Sequence, residues 1–171
     1  MTDASHPTGM TRMQTILDHY ERPLTRYAAR ITGNIELARD VVQETFLRLC
    51  SEDPAEVDGH LAQWLYTVCR SRALDVRRKE SRMHGLAKAV TNVSGDPEDD
   101  PARIVEGQER TGRVLQVLAL LPGNQQEVIR LRFQSDLSYK EIASVMSLSV
   151  SNVGYLIHTA IKSIRERLGA C

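Results

Sequence analysis

The residues with the most specific chemistry in this 171-residue sequence lie near its C-terminus. Ser138 and Glu141 have the S-x-x-E spacing of a capping box, in which each side chain satisfies a free backbone donor at the start of a helix. After a corner at Ser147, Leu148 and Ser149, the last of these serines is placed to cap a second helix. Two helices joined by so short a corner predict a helix-turn-helix.

The second helix of this pair has one polar face. Apolar residues from Val153 to Leu168 recur at spacings of three and four and are expected to face the core. The opposite face holds Ser151, Asn152, Tyr155, His158 and Lys162. Such side chains can bond to base edges, and a helix N-terminus favours phosphate, so the face suits a helix in the major groove. A solvated face on an ordinary helical hairpin is the alternative.

Helical periodicity over the rest of the chain predicts an all-α protein with two small helical domains. A break at Gly33 makes Asn34 the expected N-cap of the second helix. The acidic segment SEDPAEVDG, residues 51–59, is expected to be a loop. The predicted organisation is a disordered N-terminus (1–10), a first domain (11–83), a linker (84–108) in which helix resumes near Ala102, and a second domain (109–171).

Charge is distributed unevenly along the chain, although the formal net charge is zero. Residues 70–82 carry six Lys and Arg against two Asp and Glu, and residues 109–171 carry eight against five. Residues 84–108 carry two against five and include GDPEDDP, which cannot bury enough apolar surface to fold alone. We therefore predict two domains with basic patches, joined by an acidic flexible linker.

Several classes of protein lack support in the sequence. The three cysteines and five histidines are scattered without metal-ligand spacing, so no metal or cofactor is expected. The sequence has no Gly-rich phosphate loop and no nucleophile beside a base, which disfavours an enzyme. It also has no signal peptide and no apolar run of about 20 residues, which predicts a cytoplasmic protein without stable membrane association.

Two stretches of sequence carry a family resemblance. ARDVVQETFLRL, residues 38–49, followed by WLYTVCRSRALDVRRKE, resembles region 2 of the sigma factors. LPGNQQEVIRLRFQSDLSYKEIASVMSLSVSNV resembles region 4. With only these two regions and a short linker, the chain is similar to extracytoplasmic-function sigma factors of the sigma-seventy superfamily. The resemblance implies a dissociable subunit that directs RNA polymerase to promoters and catalyses nothing itself.

The resemblance assigns the first domain two tasks. Asp40, Gln43 and Glu44 match the family's D-x-x-Q-E helix, which implies binding to the β′ subunit of core RNA polymerase, with Leu47 on the same helix. The −10 promoter element would be contacted by Trp64, Arg70, Ser71, Arg72, Arg77, Arg78 and Lys79. Cations along one helix can hold the phosphates of a strand being opened. Trp64 and Tyr66 are candidates for stacking on unpaired bases, although the neighbours of Trp64 favour the core.

The resemblance implies that the second domain binds the −35 promoter element as double-stranded DNA. The implied contacts are Ser138, Ser149, Ser151, Asn152, Tyr155, His158 and Lys162. The family commonly has Asn at position 71 and basic residues at positions 154 and 156, where this chain has Ser71, Gly154 and Leu156. We expect these differences to weaken phosphate anchoring or to alter promoter choice. A glycine inside the helix also costs about 1 kcal/mol relative to alanine.

Other interpretations stay open at the level of sequence. A regulator that binds duplex DNA as a dimer, without polymerase, would need only the helix-turn-helix. An interaction protein that kept the sigma architecture without promoter activity is another alternative. The linker can be a plain tether, or, as the resemblance suggests, it can thread the polymerase near the RNA exit path and mimic nucleic acid there. The resemblance implies core RNA polymerase, with its β′ and β subunits, as the partner. An anti-sigma protein is a further partner that the resemblance suggests, with phosphorylation and control of synthesis as other means of regulation.

Overall fold

The structure is a computed structural model that describes residues 9–85 and 108–169. In those ranges every regular element is helical, which confirms the all-α prediction. Contacts divide the chain into two compact units, Met1–Ser94 and Gly95–Cys171, here called the N-terminal unit and the C-terminal unit. Most of the predicted linker, including the helix expected near Ala102, and most of the predicted disordered N-terminus lie outside the described residues.

The N-terminal unit is built on three long helices. They are α1 (Gly9–Thr32), α2 (Ile35–Cys50) and α4 (Leu61–Met83), and each packs against the other two. Leu24, Val41 and Leu65, one from each helix, are almost completely buried where the three helices meet. The apolar faces predicted from periodicity therefore form one core.

The break between α1 and α2 follows the predicted local chemistry. Gly33 has φ of 72°, a left-handed conformation that glycine adopts without steric cost. The Asn34 side-chain oxygen then accepts from the backbone N–H groups of Glu36 at 2.8 Å and Leu37 at 3.1 Å. Asn34 is thus the N-cap of α2, as predicted, and α2 begins at a defined residue.

The prediction that residues 51–59 form a loop is wrong. The segment folds into a short helix α3 (Pro54–Val57) and one 3-10 turn, Asp58–His60. The Asp53 carboxylate accepts from the N–H of Ala55 at 2.9 Å, and Pro54 occupies the first helical position, where its missing N–H costs nothing. Val57 is buried, so contact with the core stabilises a turn whose acidic composition suggested solvent.

Tyr66 corrects another expectation. Its side chain is only 2% exposed, and its ring packs edge to face against Tyr27, with centroids 5.2 Å apart. It is therefore part of the core that joins α4 to α1 and is not accessible to an unpaired base.

The C-terminal unit is organised around its last helix. Its elements are α5 (Gln108–Ala119), α6 (Gly123–Phe133), α7 (Tyr139–Met146) and α8 (Val150–Gly169), and α8 packs against all three others. The turn after α5 is closed by Gln126, whose side-chain amide donates to the carbonyls of Ala119 at 3.2 Å and Leu121 at 2.8 Å. These bonds satisfy carbonyls that the end of a helix leaves without partners.

The predicted helix-turn-helix comprises α7, the corner and α8. The Ser138 hydroxyl accepts from the N–H of Glu141 at 3.3 Å, and the Glu141 carboxylate accepts from the N–H of Ser138 at 2.7 Å. Ser149 caps α8 by accepting from the N–H of Asn152 at 3.1 Å. Both predicted caps are therefore present, and they fix where each helix begins.

The corner itself depends on one residue in an unfavourable conformation. Ser147 has φ of 56° and ψ of 44°, in the left-handed region that side chains other than glycine rarely adopt. We expect Ser147→Gly to raise the free energy of unfolding by roughly 0.5–1 kcal/mol, because relief of this strain exceeds the entropic cost of glycine. Calorimetric unfolding of the full chain measures the change.

A matched control for this substitution is Ser144→Gly, at an exposed position inside α7. That change should lower stability by several tenths of a kcal/mol, because glycine is a poor helix former. Equal destabilisation by both substitutions would contradict a left-handed corner at Ser147.

Candidate functional site

The predicted −35 residues form one exposed surface on the C-terminal unit. Ser151, Asn152, Tyr155, His158 and Lys162, here called the recognition face, are all exposed on α8. On the other side of the helix Val153, Ile157 and Ala160 are buried. The core therefore sets the direction in which the recognition face points. Its amide and hydroxyl groups can bond to bases or phosphates, and its Lys162 ammonium lies 3.9 Å from a carboxylate oxygen of Glu166, one turn along α8.

The two capping serines border the recognition face and are also exposed. Each hydroxyl accepts one backbone N–H bond in its cap, and its own proton stays available for donation. Ser138 and Ser149 can therefore cap their helices and still donate to a phosphate oxygen.

Positions 154 and 156 of α8, where this chain lacks the basic residues common in the family, lie in different environments. Leu156 is only 6% exposed, so it belongs to the core of the C-terminal unit. Gly154 is half-buried, and a Cβ placed on it would stand 3.7 Å from the Tyr139 ring. That distance is an ordinary van der Waals contact, so the Tyr139 ring lies directly against α8 at this position.

Tyr139 is a candidate contact that the sequence analysis missed. It opens α7 directly after the Ser138 cap, and its ring is exposed beside Gly154. Its phenol can donate to a phosphate next to the recognition face. No periodicity marks it in the sequence, since its position follows from the way α7 and α8 cross.

The predicted polymerase-binding residues lie together on the outer side of α2. Asp40, Gln43, Glu44 and Leu47, here called the α2 face, are all exposed, whereas Val41, Val42 and Phe46 on the other side are buried. Leu47 has 62% of its surface exposed. An exposed leucine beside carboxylates and an amide offers a partner helix one apolar anchor and several acceptors.

The predicted −10 residues are spread along α4. Ser71, Arg72, Arg77, Arg78 and Lys79 are exposed, and Trp64 and Arg70 are half-buried. Arg78 pairs with the Asp75 carboxylate one turn away. Within the described ranges, Arg77 and Lys79 have no ion-pair partner, so both charges are available to an incoming phosphate.

The structure joins the two predicted sites of the N-terminal unit at one point. Arg72 of α4 donates through Nη2 to Glu44 Oε1 of α2 at 3.1 Å, and its Nε donates to the other carboxylate oxygen. This hydrogen bond, with the charge of Glu44, raises the pKa of the Arg72 guanidinium above its ordinary value. Glu44 and Arg72 therefore form a two-pronged ion pair between helices.

A groove of about 400 Å³ follows α2 and α4 on this side of the N-terminal unit. Its walls include Asp40 and Glu44 from α2 and Arg72, Asp75 and Lys79 from α4. Residues assigned to polymerase and residues assigned to DNA thus line the same groove. The sequence gives no indication of this, since Glu44 and Arg72 lie 28 positions apart.

Of the two cysteines in the described residues, Cys50 is exposed and Cys69 is buried. Burial raises the pKa of the Cys69 thiol to about 12, opposed by a hydrogen bond with Thr45, so this thiol stays protonated. No cluster of three or more His, Cys, Asp or Glu residues suited to a metal ion occurs in residues 9–85 and 108–169. Nor is any helix in these ranges long and apolar enough to cross a membrane.

Comparison with known proteins gives matches to both units. The family model of Sigma-70 region 2 matches residues 16–83, and that of Sigma-70, region 4 matches residues 111–164. The ECF RNA polymerase sigma factor SigL of Mycobacterium tuberculosis is 31% identical over 160 residues, covering 91% of this chain and 88% of the relative. SigW of Bacillus subtilis, another ECF sigma factor, is 26% identical, covering 90% of this chain and 87% of the relative.

Among solved structures, the fold is similar to CnrH, which was determined in complex with the cytosolic domain of CnrY. The similarity has a TM-score of 0.58 at 21% sequence identity and covers 96% of this chain and 91% of that chain. It shows a shared all-α fold.

Proposed function

This chain belongs to the extracytoplasmic-function family of RNA polymerase sigma factors, and we propose the residues through which it acts as one. Its function is that of an alternative sigma factor, which directs promoter-specific transcription initiation. The family consists of initiation factors that position polymerase on DNA and do not catalyse a reaction. In this proposal α2 binds polymerase, α4 contacts the −10 element and α8 reads the −35 element.

The α2 face binds the β′ subunit of core polymerase. Exposure of Leu47 beside three exposed polar residues, on a helix whose opposite side is buried, is the observation that supports this assignment most directly. An apolar side chain that is 62% exposed gains stability from being covered. The acceptors of Asp40 and Gln43 can bond to cationic side chains around it.

The −10 element is held by the exposed end of α4. Arg77 and Lys79 supply phosphate contacts, since neither has an ion-pair partner among the residues described. Arg78, Arg70 and Ser71 add contacts along the same helix, and the accessible part of Trp64 can stack on a base. Tyr66 takes no part because it is buried.

The −35 element is recognised by the recognition face, with phosphates held at the capping serines and Tyr139. Asn152 and Tyr155 stand near the N-terminus of α8, the part of a recognition helix that meets base edges in helix-turn-helix proteins. Asn can bond to adenine through two hydrogen bonds. Ser151 and His158 add donors beside them, and Lys162 contacts the backbone.

The finer partners of this chain are proposed by analogy. We assign it the β and β′ subunits as polymerase contacts and the cytoplasm as its location. CnrH was solved with the cytosolic domain of CnrY, and by this analogy we propose an anti-sigma protein that restrains the present chain. A regulator that acts on duplex DNA without polymerase is not favoured, because such a regulator would have no use for the region 2 segment, residues 16–83.

Reconstitution tests the proposed function directly. The purified chain is mixed with core RNA polymerase that lacks any sigma factor and is run on size exclusion, and the complex is then assayed by run-off transcription on genomic fragments. Co-elution together with transcripts of defined start is the expected result. A folded chain that does not co-elute, with no anti-sigma protein present, would refute the assignment.

A further inference from the structure

Among the cations assigned to the −10 element, Arg72 is bonded to a carboxylate on another helix. Its guanidinium is bonded to both oxygens of Glu44, which belongs to the α2 face. Arg77 and Lys79, in contrast, have no such partner in the described parts of the chain. Family resemblance groups these cations together, and the structure separates them by what they bind.

We propose that Arg72 is a positioning residue for polymerase binding, which holds the Glu44 carboxylate in place on the α2 face, and that it makes no promoter contact. This inference rests on the proposed function. It concerns a residue that touches Glu44 and acts on polymerase through it.

The geometry of the pair supports positioning in two ways. A planar guanidinium bonded to both oxygens of a carboxylate fixes the rotation of that carboxylate as well as its distance, which a single contact does not do. The pair also joins α2 to α4, so it fixes the carboxylate relative to a second helix. A partner then meets Glu44 in one orientation, and less ordering is required when it binds.

The groove places the pair within reach of the rest of the α2 face. Arg72 lines it opposite Asp40 and Glu44, with the apolar side chains of Leu37 and Val41 alongside. A phosphate that approached Arg72 here would meet both carboxylates. The negative charges of these carboxylates would repel the phosphate. A partner helix that carries cationic or amide groups would instead be attracted to them.

A competing explanation is that Arg72 contacts DNA in the promoter complex and forms its ion pair with Glu44 only while DNA is absent. The two explanations differ in what a lysine can do. A phosphate contact requires charge, which lysine supplies as a point cation. Positioning requires the fork of donors, which lysine lacks, so Arg72→Lys should behave like Arg72→Gln.

The test measures polymerase binding without DNA, using fluorescently labelled full-length chain and core polymerase in an anisotropy titration. We expect Arg72→Gln and Arg72→Lys each to weaken binding roughly fivefold to tenfold. In a Glu44→Gln background the Arg72→Gln change should add less than a factor of about two, because Arg72 acts through Glu44. Circular dichroism confirms that each variant is folded.

Arg12→Gln is the matched control. Arg12 forms an ion pair with Asp58 that also joins two elements of the N-terminal unit, and it belongs to no proposed contact surface. Its removal takes away the same charge and a similar bond, so polymerase affinity should stay within a factor of about two of wild type.

A second measurement separates positioning from DNA contact. Holoenzyme is assembled at saturating polymerase and titrated onto labelled promoter DNA at several salt concentrations. Arg77→Gln should reduce the salt slope by about one, as expected for one lost phosphate contact, and Arg72→Gln should leave the slope unchanged.

Any of three results overturns the inference: unchanged polymerase affinity in Arg72→Gln, recovery of affinity by Arg72→Lys, or a salt slope that falls by about one in Arg72→Gln. An additive effect in the Glu44→Gln background also overturns it. Wild type that fails to bind polymerase at all would instead refute the proposed function, and the inference with it.

Discussion

Replacing Asp40, Gln43 and Leu47 together with alanine is expected to weaken binding to core RNA polymerase by more than about a hundredfold. The three side chains are exposed on one side of α2. Their loss therefore removes one apolar anchor and two hydrogen-bonding groups from this chain's side of the interface with polymerase. Partner groups left without hydrogen bonds in a closed interface add to the loss. The measurement is an anisotropy titration of the labelled chain with core polymerase.

The fold should survive this triple substitution, because surface changes away from special features alter stability by no more than about 0.5 kcal/mol each. Gln14→Ala combined with Asp18→Ala is the control. These residues form a hydrogen-bonded pair on the exposed side of α1, so the control removes similar groups from the same unit. Equal binding by the triple variant and wild type would show that α2 is not the polymerase-binding helix.

Replacing Asn152 or Tyr155 with alanine is expected to relax the choice of promoter at the −35 element. Both side chains are exposed near the N-terminus of α8, and Tyr155 has 66% of its surface exposed. Each good base contact supplies about 1–3 kcal/mol of discrimination against the wrong base pair. Run-off transcription from promoters altered one −35 position at a time should therefore reveal positions where wild type discriminates strongly and a variant hardly does.

Lys162→Ala is the comparison variant for this experiment. Lys162 is a backbone contact in the proposal, so its loss should weaken all promoters by a similar factor and lower the salt slope by about one. If Asn152→Ala and Tyr155→Ala also weakened all promoters equally, the recognition face would be serving for phosphate binding only.

Much of the fold was predictable because its determinants are local. The caps at Asn34, Ser138 and Ser149 each involve residues two or three positions apart, and such short-range chemistry is visible in the sequence. The apolar periodicity of the long helices similarly identified which sides would be buried.

The wrong or missing predictions all depend on tertiary contact. Residues 51–59 were expected to be a loop because composition cannot show that Val57 reaches the core. Tyr66 was expected to be open to an unpaired base, and only the crossing of helices decides that it is buried, as it also decides the burial of Leu156. The Glu44–Arg72 pair and the Tyr139 ring beside Gly154 require helices that are separate in sequence to meet.

The recognition face carries a single lysine, and this has a consequence for how polymerase leaves a promoter. Contacts made mainly by hydroxyl and amide groups are short in range, whereas phosphate attraction extends over a Debye length of about 8 Å. In the proposed promoter complex, polymerase supplies a high effective concentration of the C-terminal unit at the DNA, so weak contacts suffice while the complex is assembled. Once the enzyme advances and that avidity is lost, Lys162 is the one side chain of the recognition face that still attracts phosphate at long range, and we expect the −35 contacts to be released with a low barrier.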